Sequence, residues 1–315
     1  MAHIRLIQLL FFLSLVSAIF RPTMLNAQNS DSLVVNPDTS RLNSGRLTGV
    51  LITQGTLYLG SLGGLYYAWY KGYPQSSFHL FNDNGEWLQM DKCGHTLTAY
   101  YISRVGYESY ILSGVERKKA IWFGGLLGLA YMANIEILDG FSSQWGFSIG
   151  DMTANTLGCI IFIGQQLAWD EQRFVLKYSF HQTDYAQSRP DLLGSNLIQQ
   201  MIKDYNGQTY WLSGNISSFL PKGTRFPKWI NISAGYSAEG MTGATTNSSA
   251  YKGQPIPEYT RYRQFFLSMD VDLTRIPTKS RALKVIFAVF SFIKIPFPAV
   301  EYNTLGQFKM HYFYF

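Results

Sequence analysis

The chain has 315 residues, 47% of them hydrophobic and 16% aromatic, against only 15% charged. Lys and Arg number 26 and Asp and Glu 20, a formal net charge of +6. That mild excess, with no basic run interleaved with aromatics, argues against a nucleic-acid binder, and the low charge points to a membrane-facing or very apolar protein.

Residues 1–27 read as a cleaved secretory signal. Arg5 precedes an uncharged run from Leu6 to Phe20, Arg21 and Pro22 stop it, and Ala27 is the small residue before the cut. The run is shorter than the roughly 20 residues a membrane helix needs. An uncleaved N-terminal anchor is the competing reading. No cysteine lies near the cut, so a lipid-modified N-terminus is not expected. The expected destination is the periplasm or outer membrane of a Gram-negative-type envelope. Residues 28–46, rich in Ser, Asn and Asp, read as an exposed linker.

Residues 47–170 carry four apolar segments too long for strands, so helices are expected. They run from Leu47 to Tyr70, Met90 to Leu112, Glu116 to Leu138 and Ser148 to Trp169. Ser148 is placed to cap the fourth, with Asp151 three residues on favouring its positive end. Glycines are plentiful in the first and third segments, as in close-packed helices. Arg104, Glu108, Glu136 and Asp151 would be expensive at mid-membrane. A compact bundle lying at or against a membrane is therefore favoured over four spans. Cys93 and Cys159 are either a disulfide pair or two small buried hydrophobes, with the second reading preferred.

From residue 171 the texture changes to period-two alternation, which predicts antiparallel strands. Five are expected: Phe174 to His181, Tyr210 to Phe219, Trp229 to Tyr236, Arg263 to Leu273 and Phe308 to Phe315. A short helix is expected from Leu192 to Asp204 and a long loop over 237–258. Five strands fall short of the eight of a closed outer-membrane barrel. The basic, apolar run 279–294 fits either an interfacial helix or a core helix covering the sheet. The expected fold is thus α+β: an N-terminal four-helix apolar bundle followed by an antiparallel β-rich region, with membrane association open.

One polar constellation stands out. Asp91, Lys92 and His95 open the second helix, Glu136 and Asp139 close the third, and Asp151 and Asn155 open the fourth. The i,i+3 and i,i+4 spacings put each set on one helix face. Antiparallel packing brings those three helix ends together. Asp91, His95, Glu136, Asp139 and Asp151 could hold a divalent metal, zinc or manganese by ligand type. His95, Asp91 and Asp151 could instead carry acid–base hydrolysis, with Lys92 holding an anion. The third reading is structural, a network of caps and paired charges in which Asn155 and Ser148 take part. No nucleophile elbow, phosphate loop, HExxH or CxxC motif is present.

The elements Asp91-Lys92-xx-His95, Glu136-xx-Asp139 and Ser148-xx-Asp151-xxx-Asn155-xx-Gly158 together resemble the YfiM-like family of predicted periplasmic lipoproteins, a domain of unknown function. More distantly, their order is similar to that in VanZ-like membrane proteins. The resemblance covers residues 85–170 and implies an envelope protein of unsettled biochemistry. The favoured reading is non-enzymatic: a structural or metal-binding cluster, with a β region that anchors to membrane lipid or an outer-membrane partner protein. The alternative is a hydrolase acting on a lipid or cell-wall headgroup at the membrane surface.

Overall fold

The computed structural model describes residues 42–221 and 223–315. The expected signal over 1–27 and most of the expected linker lie outside the described residues. The linker ends earlier than expected. Asn43 accepts a hydrogen bond from the Arg46 backbone N–H and caps a helix that begins at Ser44.

The helical part consists of α1 (Ser44–Leu65), α2 (Met90–Leu112), α3 (Arg117–Gly125), α4 (Leu127–Gly140) and α5 (Ile149–Trp169). The third apolar segment is thus two helices, α3 and α4, meeting at Leu126. Taken together, Arg117–Gly140 is the one helix among the described residues long and apolar enough to cross a membrane. Buried Tyr100, Ile102, Tyr131, Met132 and Phe162 form the core between α2, α4 and α5. The glycines divide by helix. Gly49, Gly55, Gly60 and Gly63 of α1 face open space, whereas a Cβ at Gly124 of α3 would overlap the backbone of α2 at Gly106 and Tyr107. The close approach that small residues permit is made by α3, not α1.

After α5 come β1 (Phe174–Phe180), three short helices, α6 (Tyr185–Ser188), α7 (Pro190–Leu193) and α8 (Leu197–Lys203), and then β2 (Gln208–Asn215). The single helix expected over Leu192 to Asp204 is interrupted because Gly194 takes φ +108. The strands β3 (Ile230–Glu239), β4 (Ala250–Tyr251), β5 (Gln254–Pro255) and β6 (Tyr262–Val271) follow, then α9 (Arg281–Val289), β7 (Phe297–Asn303) and β8 (Phe308–Tyr314). The order β1-β2-β3-β6-β7-β8 is an antiparallel meander, with β4 and β5 as a small hairpin inside the expected loop. The β7 strand was not expected. Its Pro298 and its inward Glu301 and Asn303 break the apolar alternation. The run 279–294 is only partly helical. After α9 the chain extends, and Lys294 N–H donates to Tyr178 C=O beside β1.

The sheet's inner face holds one buried apolar cluster, Trp211, Phe266, Ala299 and Tyr314, within a largely polar surround. The same face carries Lys177, Ser213, Asn231, Ser233, Ser268, Asp270, Glu301 and Asn303, all buried. The outer face carries Ile232, Phe265, Leu267, Met269, Val300 and Tyr302, all exposed. The polar groups satisfy one another inside: Lys177 Nζ lies 2.6 Å from Asp270 Oδ2, Ser213 Oγ donates to the same oxygen at 2.6 Å, and Asn231 donates to Ser213 at 2.9 Å. The sheet curls enough to bring Thr209 of β2 within 3.2 Å of the Tyr314 hydroxyl of β8, although three strands separate them.

No disulfide joins the two cysteines. Cys159 is buried beside Ser103 Oγ at 3.3 Å, and Cys93 is half-buried.

Candidate functional site

The starts of α2 and α5 and the end of α4 meet, as the spacing requires. Ser148 Oγ accepts from the Asp151 backbone N–H at 3.0 Å, so Ser148 caps α5 and aims Asp151 at α2. Glu136 reaches back from α4, and its Oε2 accepts from the Ser148 backbone N–H at 3.3 Å.

Two subsites share Asp151. In the first, Lys92 Nζ sits among three carboxylates, 2.6 Å from Asp83, 2.9 Å from Asp91 and 2.8 Å from Asp151. Its ammonium is therefore engaged as a counter-charge, which leaves the expected anion-holding role without support in this geometry. In the second, His95 Nδ1 lies 3.1 Å from Asn155 Oδ1 and 3.5 Å from Glu136 Oε1, while Nε2 lies 3.7 Å from Asp151 Oδ2. With Nδ1 protonated and donating to Asn155, Nε2 presents its lone pair toward Asp151.

Asp139 stands apart from both subsites. Its Oδ1 accepts from the Tyr70 hydroxyl at 2.7 Å. Asp83 was not among the expected residues. It comes from the Asn82–Gly85 loop, where a turn composition hides its partners, and it also accepts from Ser148 Oγ at 2.5 Å. Glu86 joins the periphery from beside that loop, and Tyr70 from the end of the first expected helical segment.

Acid exceeds base in this buried space, and the carboxyls respond. Glu136 is pushed up to about 9, first by burial and then by the charges of Asp151 and Asp139. Burial pushes Asp151 to about 7, against the pull of Lys92, and Asp139 and Glu86 also to about 7. Asp91 is raised by burial as well. Asp83 alone is held below its usual range, because bonds to Asp151, Lys92 and Ser148 outweigh its burial. Lys92 is raised, since Asp91 and Asp151 outweigh its own desolvation.

The site is positioned from both sides of the molecule. Trp87, Leu88 and Gln89, immediately before α2, take φ of 47, 49 and 64. Left-handed backbone is costly for such residues, on the order of 1–3 kcal/mol each, and persists only where surroundings hold it. Here they do. Trp87 N–H donates to Ala244 C=O, the Tyr236 hydroxyl donates to Leu88 C=O, and Arg263 Nη2 donates to Gln89 Oε1 at 2.7 Å. The β region thus fixes the entry into the helix that presents Asp91, Lys92 and His95.

Two sets of potential metal ligands lie within this arrangement: His95, Glu136 and Asp151, and Asp83, Asp91 and Asp151, with ligand atoms within 4.8 Å of one another in each. Ligands of a tetrahedral zinc, at about 2.0–2.2 Å from it, stand roughly 3.3–3.6 Å apart. The His95 set offers one ligand atom from each residue within 4.8 Å of the others, so a bound ion would draw the three inward. The all-aspartate set already surrounds an ammonium. In the His95 set, Glu136 Oε1 and the neighbouring Asn155 Nδ2 are buried without a hydrogen-bond partner. Buried orphans of this kind call for a ligand, a proton or a water.

Neither a curated protein nor a solved structure matches the chain. Residues 79–163, which contain both subsites and end before the sheet, match the model of a family described as "Predicted periplasmic lipoprotein (DUF2279)", a description that supports export to the cell envelope.

Proposed function

We propose that this is an outer-membrane-associated envelope protein that binds a divalent cation through His95, Glu136 and Asp151. The observation carrying the cation reading is the orphaned Glu136 Oε1 beside His95 and Asp151, in a buried space where carboxylates outnumber cations. A zinc or manganese ion would supply the missing charge and take up the unpaired oxygen. Asn155 would act on the far ring nitrogen, fixing the imidazole so that Nε2 faces the ion. The resemblance of its polar elements to those of YfiM-like and VanZ-like proteins, with the periplasmic lipoprotein family match over residues 79–163, supports an envelope role for the cluster.

Metal analysis of the purified full chain tests the reading. About one equivalent of divalent metal is expected, removed by chelator and restored on readdition, and lost in His95→Ala and Asp151→Ala proteins that still fold. A stoichiometry near zero in the wild type overturns it.

A specific observation supports the membrane association: the exposed apolar outer face of the sheet. An apolar outer face over an inner face rich in buried polar groups suits a β-sheet in contact with lipid, not water. The exposed aromatics of β8, Phe308, Tyr312 and Phe313, extend that face. Cell fractionation should place the protein with the outer membrane, and its gel mobility should depend on heating. A wholly soluble periplasmic pool would end this part of the reading.

A further inference from the structure

A cleft of about 820 Å³ runs between the second half of α2 and the chain from Leu273 to Ser291. That volume lies within the range of small-molecule sites. Its walls are apolar, with Val105, Ile111 and Leu112 on one side and Val285, Phe287 and Ala288 on the other. Its charges are nearly all of one sign. Arg104, Arg275, Lys279 and Lys284 line it, against the single acid Glu108.

These cations are not equivalent. Arg104 Nε is paired with Glu108 at 2.8 Å, and Arg275 with Asp272 at 3.1 Å and Glu171 at 3.4 Å. Lys279 and Lys284 have no acidic partner among the described residues, and Lys279 is exposed. They are the cations that remain for a ligand. The opposite side of α9 presents Leu283, Ile286 and Phe290 to the outside, so the cleft opens beside an exposed apolar helix face.

We propose that this cleft holds an anionic glycerophospholipid, its phosphate against Lys279 and Lys284 and one acyl chain along the apolar walls. Charge complementarity selects the headgroup, and continuity with the exposed face of α9 supplies the chain from a bilayer. Lysines of this kind can hold an ammonium at a rim while the stem covers apolar surface. The proposal rests on the membrane-association reading above.

Native mass spectrometry of the delipidated full chain, supplied with phosphatidylglycerol or phosphatidylcholine, provides the test. Each lysine near an anionic headgroup contributes about a factor of five, so roughly thirtyfold preference for phosphatidylglycerol is expected. The Lys279→Glu/Lys284→Glu protein should lose that preference. Ala288→Trp, which fills the cleft, should weaken both lipids. Equal retention of the two lipids by the wild type overturns the assignment, as does unchanged preference in the lysine variant. If fractionation shows a soluble protein that nonetheless prefers short-chain phosphatidylglycerol, the membrane reading falls and the cleft stands. If the protein fractionates with membranes but shows no preference, the cleft assignment falls alone.

Discussion

Lys92 Nζ lies 2.8 Å from Asp151 Oδ1, bridging the starts of α2 and α5 where two further aspartates meet the same ammonium. The one cation is shared by three buried carboxylates, so its removal leaves uncompensated charge. Breaking a buried ion pair from one side costs about 3–5 kcal/mol. Lys92→Met should therefore destabilise the protein by that order in denaturant unfolding with chelator present. It should also expose Asp83, Asp91 and Asp151 as a second cation site, so added divalent metal should recover part of the loss. A Lys92→Met protein as stable as wild type in chelator would remove the ammonium from its central role.

The pH dependence of the cation-free protein follows from Glu136, Asp151 and Asp139. Their folded values, about 9, 7 and 7, stand above those of the unfolded chain. The folded state therefore holds protons that the unfolded state releases. The resulting stability is complete below the usual carboxylate range and is lost as pH rises through 7 and then 9. Each group contributes a slope of at most about 1.4 kcal/mol per pH unit. With chelator present, denaturant midpoints should fall from pH 5 to pH 9. Glu136→Gln should flatten the upper part of that fall and weaken cation binding, because an amide carries no charge. Midpoints that rise over the same interval would contradict the burial of these carboxyls.

The sequence carried the cluster further than it carried the sheet. The i,i+4 spacing of Asp91 and His95, and of Asp151 and Asn155, is local, and short connections left few ways to pack the helices that bear them. Convergence could be read from such residues. Asp83 could not, because a loop has no period and its place depends on bonds to Lys92 and Ser148. The β7 strand was missed for a related reason. Glu301 and Asn303 point inward, where the β7–β8 hairpin offers His311 and Gln307 as partners. Alternation reports that two faces differ, but not which one is inside. The left-handed backbone at Trp87–Gln89 also gave no sign, because none of these residues is the glycine such a conformation favours.

The division among glycines gives a paired prediction. A methyl at Gly124 meets the backbone of α2, which cannot yield as a flexible side chain can. Gly124→Ala should cost about 1–3 kcal/mol, the range for overpacking. A methyl at Gly60 on α1 meets nothing within 4 Å. Gly60→Ala should stabilise by about 0.5–1 kcal/mol, the helix-interior difference between the two residues. Thermal melts of both proteins check the pair, and equal effects of the same sign would refute the assignment of α3 as the close-packed helix.

The interior of the sheet yields the last prediction. Lys177 and Asp270 are both buried, and they come from strands that are not neighbours, so their contact depends on the curl. Around them, Lys177 Nζ also donates to Val271 C=O and Ser213 to Asp270, which closes most of the network. Lys177→Met or Asp270→Leu alone strands the other charge and should cost about 3–5 kcal/mol. The double variant leaves no buried charge at this position, and replacing a buried pair by apolar groups is often neutral. It should therefore be more stable than either single variant, with a coupling of at least about 2 kcal/mol in a double-mutant cycle. Additive losses would mean that the two side chains act independently and that the curl of the sheet does not rest on their contact. Unchanged cell fractionation of the double variant would separate this polar network from the lipid contact proposed for the apolar outer face.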